Sequence, residues 1–255
     1  MPLMYIFTVE SAYSCAIMFP AMFEARIVYF RELGAKTYTP AAYYWARLIA
    51  DLPFSIGESL LFTLLMYFTA GLTTANDGAP FGIFLLGYWL NRMIGLAFAE
   101  FCASVSPLAE TANAVLATSL NFLQLFAGFL IRAPSMPRAW IWMHYLCHFH
   151  YPIYLFQANE LRHIDEVECS GGSRLPVSTP ANAPVDCNDP QQFESSLFCS
   201  RPVCLISSGP DQLEAFSIGY SDSDIGTYLG AMVAFLVGYR IAAFLALKYV
   251  NHLKR

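Results

Sequence analysis

Four ionisable side chains, Glu58, Arg92, Glu100 and Arg240, stand inside long runs of apolar residues. In hydrocarbon such groups are costly unless they pair or face a polar cavity, so the chemistry open to them is charge pairing or ion passage. Arg92 and Glu100 are eight residues apart, about two helical turns and roughly 12 Å along the axis, and therefore share a face. Glu58 is placed to meet Arg92 across helices. Arg240, near the end of its run, is able to snorkel towards the interface. Structural ion pairing accounts for this set better than a proton relay. Two amides, Asn121 and Gln124, are three apart on one helix face, where they would line a cavity or bond a neighbouring helix.

A second group is suited to metal or redox chemistry. His144, Cys147 and His148 give an H-x-x-C-H face, a spacing that a soft metal accepts. No fourth ligand is evident, and aromatic interfacial helices use histidine as an amphipathic residue, so no metal is assigned. Cys169, Cys187, Cys199 and Cys204 form an even set in the polar part of the chain, candidates for disulfides with three possible pairings. Cys15, Cys102 and Cys147 lie in or near apolar runs and read as packed thiols. The phosphate loop G-x-x-x-x-G-K-[ST] is absent, and Ser170-Gly171-Gly172-Ser173, beside Cys169, lacks the flanking residues of a nucleotide signature. The chain therefore reads as no enzyme by itself, with no cofactor and no catalytic residue of its own.

These residues need elements to hold them. The 255 residues are 56% hydrophobic, 16% aromatic and 13% charged, with a mean hydropathy of +0.45. A soluble domain of this length needs more charge to cover its surface. The net charge of -5 comes mostly from one loop and suggests no nucleic-acid partner. Apolar runs extend over 1–20, 52–71 (carrying Glu58), 81–105 (carrying Asn91, Arg92 and Glu100), 111–131 and 225–247 (carrying Arg240). Each is about the 20 residues a helix needs to cross a bilayer, and period-two alternation is absent. The expectation is an all-α polytopic membrane protein with about five transmembrane helices.

Between the first two runs lies Glu24–Pro53, which holds four of the fourteen Lys and Arg residues. The bias of basic loops towards the cytoplasm places it inside. The turn over 72–80, without Lys or Arg, is then outside, 106–110 inside, and 132–224 outside. The aromatic stretch Ala139–Ala158, with three histidines and Pro152, suits an interfacial or re-entrant helix. If it does not cross, the tail with Lys248, Lys254 and Arg255 returns to the cytoplasm and the four loop cysteines face an oxidising side. The chain opens almost within an apolar run, without a cleavable signal, which suggests a truncated chain or a cut-down gene model.

The residues of 24–53 resemble the membrane domain of the G subfamily of ATP-binding-cassette exporters, the white–brown and pleiotropic-drug-resistance type. The resemblance rests on Arg26, Tyr29-Phe30, Arg31-Glu32, Tyr38, Tyr43-Tyr44 and Asp51-Leu52-Pro53 at matching spacing. It extends over nearly the whole chain through Phe126-Ala127-Gly128-Phe129-Leu130, Trp142, Tyr145, Asn159-Glu160, Cys169 and Tyr239-Arg240. One departure is Ala25, where the family has glutamate; here the acid is Glu24. The resemblance implies a half-transporter membrane domain, 1–255, lacking its nucleotide-binding domain and first membrane helix. Within it, 24–53 would be the cytoplasmic coupling loop, with Glu24, Arg26, Arg31, Glu32 and Tyr38 as coupling residues. The loop 132–224 would be the extracellular loop with re-entrant helices.

By the same resemblance, Tyr13 joins Asn121 and Gln124 in a substrate cavity, and Phe129 and Leu130 form a hydrophobic gate. The implied partners are a nucleotide-binding domain upstream in the full-length chain, using ATP and Mg, a second half-transporter as homo- or heterodimer, and membrane lipid. The implied activity is export of apolar or amphipathic molecules such as lipids, sterols or xenobiotics by alternating access. The expected location is the plasma membrane, with the carboxy terminus cytoplasmic. The alternative is a stand-alone polytopic channel or scaffold with no ATPase partner.

Overall fold

A computed structural model of the chain describes residues 2–72, 78–131, 136–164 and 209–250. Every regular element among them is a helix. In chain order these are α1 (Pro2–Tyr13), α2 (Cys15–Gly34), α3 (Pro40–Thr69), α4 (Ala79–Val105), α5 (Ala109–Leu125), α6 (Ile141–Leu146), α7 (His150–Leu161), α8 (Gly209–Ala215) and α9 (Asp222–Tyr249). Helices α1 and α2 run on from one another: the Ser14 amide donates to the Glu10 carbonyl at 3.0 Å.

Among the described residues four helices, rather than the five expected, are long and apolar enough to cross a membrane: Pro2–Gly34, Pro40–Thr69, Ala79–Val105 and Asp222–Tyr249. The remaining run stops early. Helix α5 has 17 residues, about 25 Å at 1.5 Å per residue, against a hydrocarbon core of about 30 Å. It ends because the chain turns at Gly128, which has φ of +97°. A Cβ there would stand 2.9 Å from His144 Cε1 and 3.1 Å from Tyr154, so only glycine fits both the left-handed backbone and the space. The stretch 139–158 is not one helix either: α6 and α7 are separated at Cys147–Phe149, and α7 is buried almost throughout.

The connector 24–53 is helical except for 35–39. Helix α2 continues through Pro20 to Gly34, and α3 begins at Pro40, far ahead of the expected Leu52. Thr39 caps α3, its hydroxyl oxygen accepting from the Ala42 amide at 3.3 Å. Proline follows at the first helical position, where a missing N–H costs nothing. At 30 residues, α3 is about 45 Å long, so about a third of it exceeds a bilayer core. The two helices thus form a stiff projecting tip. Tyr29, Tyr38 and Tyr43 pack together inside it, Tyr38 and Tyr43 stacked at 5.6 Å with 9° between planes.

Helix α4 is the hub, packing against α1, α2, α3, α5, α7 and α9. Its buried surface runs all round, as its apolar sequence on every face requires. Gly95 lets α1 come close: a Cβ there would lie 2.7 Å from the Ala12 carbonyl oxygen. Gly95→Val is therefore expected to pry α1 from α4 and cost about 1–3 kcal/mol, read as a lowered thermal midpoint of the full-length protein in detergent. Gly82→Ala in the same helix meets nothing within 4 Å and serves as the neutral control.

Candidate functional site

The tip and the hub are joined by buried charge. Arg26, on the inward face of α2, directs Nη1 to the carbonyls of Ala103, Ser104 (3.4 Å) and Ser106 (2.7 Å). Those are carbonyls at the carboxy-terminal end of α4, where a helix leaves acceptors unsatisfied and a cation is favoured. Its guanidinium also lies 4.3 Å from the centroid of Phe23, within cation–π range. Arg26 was expected among the motor-facing residues of 24–53. The structure turns it inward, because the helix carries it to the same side as the buried Phe23 and Phe30.

From α3, Arg47 approaches Glu100 of α4 at 3.8 Å and Asp51 at 3.9 Å. Glu100 in turn takes Arg240 of α9 at 2.6 Å, and the Tyr44 hydroxyl donates to the Arg240 carbonyl at 3.0 Å. Arg26, Tyr43, Tyr44, Arg47 and Glu100 surround one cavity of about 30 Å³. Arg240 is thus a buried partner rather than a snorkelling side chain. Arg92 and Glu100, expected on one face, have separate partners. Arg92 makes a bidentate pair with Glu58, a buried guanidinium on a carboxylate that is 51% exposed.

The outer surface of the tip carries the other residues of the expected coupling set. Glu24, Arg31 and Glu32 are exposed; Lys36, outside that set, is exposed beside them and takes the left-handed conformation that reverses the chain. The Tyr38 hydroxyl donates to Glu32 Oε2 at 2.6 Å. Burial, and then this bond to the carboxylate, push the Tyr38 phenol well above its ordinary value, so it stays a neutral donor and fixes Glu32. The tip therefore offers an exposed set of both signs on a frame whose inner side is bolted to α4 and α9.

A second region lies between α1 and α5. The Tyr13 hydroxyl stands 3.0 Å from Asn121 Oδ1 and 3.2 Å from Gln124 Oε1. Gln124 donates to the Tyr5 hydroxyl, and Tyr5 stacks on Phe129 at 4.5 Å. An open cavity of about 560 Å³ is lined by Tyr5, Thr118, Asn121, Phe122, Gln124, Leu125 and Leu130. Phe129 and Leu130 lie beyond the end of α5, in the non-helical stretch around Gly128. Tyr5 was not singled out from the sequence, because a tyrosine near the start of an apolar run looks like an interface residue.

The H-x-x-C-H residues part company in space. His144 Nδ1 lies 2.8 Å from the Phe126 carbonyl, Cys147 Sγ 3.0 Å from the Leu123 carbonyl, and His148 Nδ1 3.4 Å from the Tyr239 hydroxyl. Each ties the α6–α7 region to a different neighbour, since the helix breaks at Cys147 and the i, i+4 face is lost. Among the described residues no group of three or more His, Cys, Asp or Glu is arranged to hold a metal. Cys15, Cys102 and Cys147 are buried free thiols. Cys169, Cys187, Cys199 and Cys204, most of the loop 132–224, Lys254 and Arg255 lie outside the described residues.

Residues 1–161 match the family model described as ABC-2 type transporter. ABC transporter G family member 3 of Dictyostelium discoideum is 30% identical over 242 residues, covering 92% of this chain and 16% of its own length. ABC transporter G family member 5 of Oryza sativa subsp. japonica is 27% identical over 252 residues, 95% of this chain and 31% of its own. ABC transporter G family member 16 of Arabidopsis thaliana is 30% identical over 159 residues, 62% of this chain and 21% of its own. The chain thus spans between about a sixth and a third of the length of these curated relatives.

Proposed function

Because the chain belongs to the ABC-2 type transporter family, with relatives named ABC transporter G family members, we propose that it is the permease part of an ATP-driven exporter of apolar or amphipathic molecules. The observation that carries this reading is the double attachment of the α2–α3 tip to the hub. One leg is held through Arg26 on the end of α4, the other through Arg47 and Tyr44 on Glu100 and Arg240. A force on the tip then moves α4 and α9 together, because charge-assisted contacts fix orientation as well as distance. The exposed Arg31, Glu32 and Lys36 are the side that a nucleotide-binding domain would push on. That domain, with ATP and Mg, would be supplied by the remainder of a full-length protein.

The cavity between α1 and α5 is the proposed cargo site. It is open on one side, and a second copy or a relative of this chain would close it; alternating exposure of that space would carry cargo across, with Phe129 and Leu130 as its outer gate. The tip would lie in the cytoplasm, as its basic residues favour, the carboxy terminus with it, and the plasma membrane is the proposed location. Re-entrant placement of α6 and α7, and disulfides among the four loop cysteines, belong to the same reading.

Glu32→Lys in the full-length protein tests it. The expected result is ATP hydrolysis that continues while cargo flux into inverted vesicles falls at least tenfold, with folding intact. Tyr38→Phe, which removes the hydrogen bond and leaves the carboxylate, separates loss of charge from loss of the frame. Flux and hydrolysis that stay coupled in Glu32→Lys would count against a motor contact at the tip.

A further inference from the structure

Phe129 and Leu130 follow α5 in a stretch with little backbone support of its own. The chain leaves the helix through two backbone bonds, the Phe126 amide to the Leu123 carbonyl at 3.0 Å and the Ala127 amide to the Gln124 carbonyl at 3.3 Å. Beyond them, residues 128–131 make no backbone–backbone hydrogen bond among the described residues. Yet this stretch meets the cavity: Leu130 lines it, and Phe129 stacks on Tyr5, another lining residue. A reversal at Gly128 without a ladder of its own has to be fixed by side chains.

Helix α6 and the residues around it supply those side chains. The Phe126 carbonyl, the first acceptor past the end of α5, has one partner among the described residues, His144 Nδ1 at 2.8 Å. A carbonyl oxygen only accepts, so Nδ1 is a nitrogen that carries hydrogen. His144 is 2% exposed, and a hydrogen bond in such a site is strengthened by the low local dielectric. His150 packs against its ring at 4.0 Å between centroids, and Tyr154 against His150 at 4.1 Å, which restrains the imidazole from turning. Trp140 stacks on the Phe126 ring at 5.7 Å. The neighbouring tie, Cys147 on the Leu123 carbonyl, falls on an acceptor that already takes the Phe126 amide. We infer that His144 is a positioning residue of the gate: its Nδ1–H, bonded to the Phe126 carbonyl, sets the turn at Gly128 that presents Phe129 and Leu130 to the cavity. The inference rests on the gate role proposed above, while the position of the turn is a property of the protein without cargo.

Asparagine carries an amide N–H at the position of histidine Nδ1, whereas glutamine carries it at the position of Nε2 and fills more of the ring's space. A need for the donor and a need for volume are therefore separable. In the full-length protein, Tyr5→Cys with Phe129→Cys is treated with a short bifunctional thiol reagent, and the linked peptide pair is quantified by mass spectrometry. The pair should cross-link with His144 present, keep at least half that yield in His144→Asn, and lose at least fivefold in His144→Gln. Flux of rhodamine 123 per ATP hydrolysed, measured in inverted vesicles without the two cysteines, should follow the same order. Equal yields in His144→Asn and His144→Gln overturn the inference, as does a His144→Gln yield equal to that of the parent. A parent pair that does not cross-link overturns it too, since the turn then fails to hold Phe129 against Tyr5. So does a yield that falls only in step with the melting midpoint, which marks a packing residue and no more. Failure of the gate reading looks different: the contrast in cross-linking persists, while flux per ATP is the same in all three proteins or absent in wild type.

Discussion

Arg26→Ala is expected to be the most damaging single change in the tip, lowering the stability of the full-length protein by about 3–5 kcal/mol. The alanine removes the donor that three carbonyls of the α4 end share, and the site is too enclosed for water to replace it freely. Hydrogen bonds to a charged group contribute about 1.5–3 kcal/mol each, and leaving buried acceptors unmade costs their desolvation as well. The stack on Phe23 is lost at the same time. Arg26→Lys keeps the charge but not the planar fork, so an intermediate loss is expected. The measurement is the melting midpoint, together with the fraction of extracted protein that elutes as a single folded species. Glu24→Ala, two residues away and exposed, should stay within about 0.5 kcal/mol of wild type. An Arg26→Ala protein as stable as wild type would mean that the end of α4 needs no cap.

The second large effect concerns Glu100 and Arg240. Their side chains are 9% and 12% exposed, and removing one partner leaves the other charge buried and unpaired, at a cost of about 3–5 kcal/mol. Glu100→Leu and Arg240→Met should each destabilise by that order. The double substitution should fall well short of the sum, because two apolar groups leave no orphan charge. Arg47→Ala is expected to cost less: its contact with Glu100 is longer, at 3.8 Å, and its side chain is more exposed. A strictly additive pair would show that Glu100 and Arg240 do not depend on each other. Under the proposed function, the same double substitution in the full-length protein is expected to weaken the link between tip and α9 and so lower flux relative to ATP hydrolysis.

The membrane class was legible because long apolar runs have no other stable home. The limits of α4 and α9 fell within a few residues of the expected runs, since both runs are bounded by turn signals. The limits of α2 and α3 did not, because hydropathy registers where a helix leaves the hydrocarbon and not where it stops being a helix. Pro20 and Pro53, which suggest breaks, are accommodated within long helices. Charge partners were harder to read. Glu58 and Arg92 face one another across α3 and α4, but Glu100 meets Arg240, 140 residues away in sequence, and no local pattern specifies that. Arg26 carries the same uncertainty in direction: a basic residue at the edge of an apolar run looks outward until the end of another helix is seen beneath it.

The late arrival of Arg240 has a bearing on biogenesis. Glu100 enters the bilayer when α4 is inserted, and on the ribosome its principal partner has not yet been made. In that interval Arg47, already synthesised on α3, is the cation within reach. A chain interrupted between α4 and α9 therefore keeps Glu100 with only the longer contact to Arg47, at 3.8 Å, and without the 2.6 Å bond from Arg240. Synthesis of α9 supplies Arg240 and completes the pair.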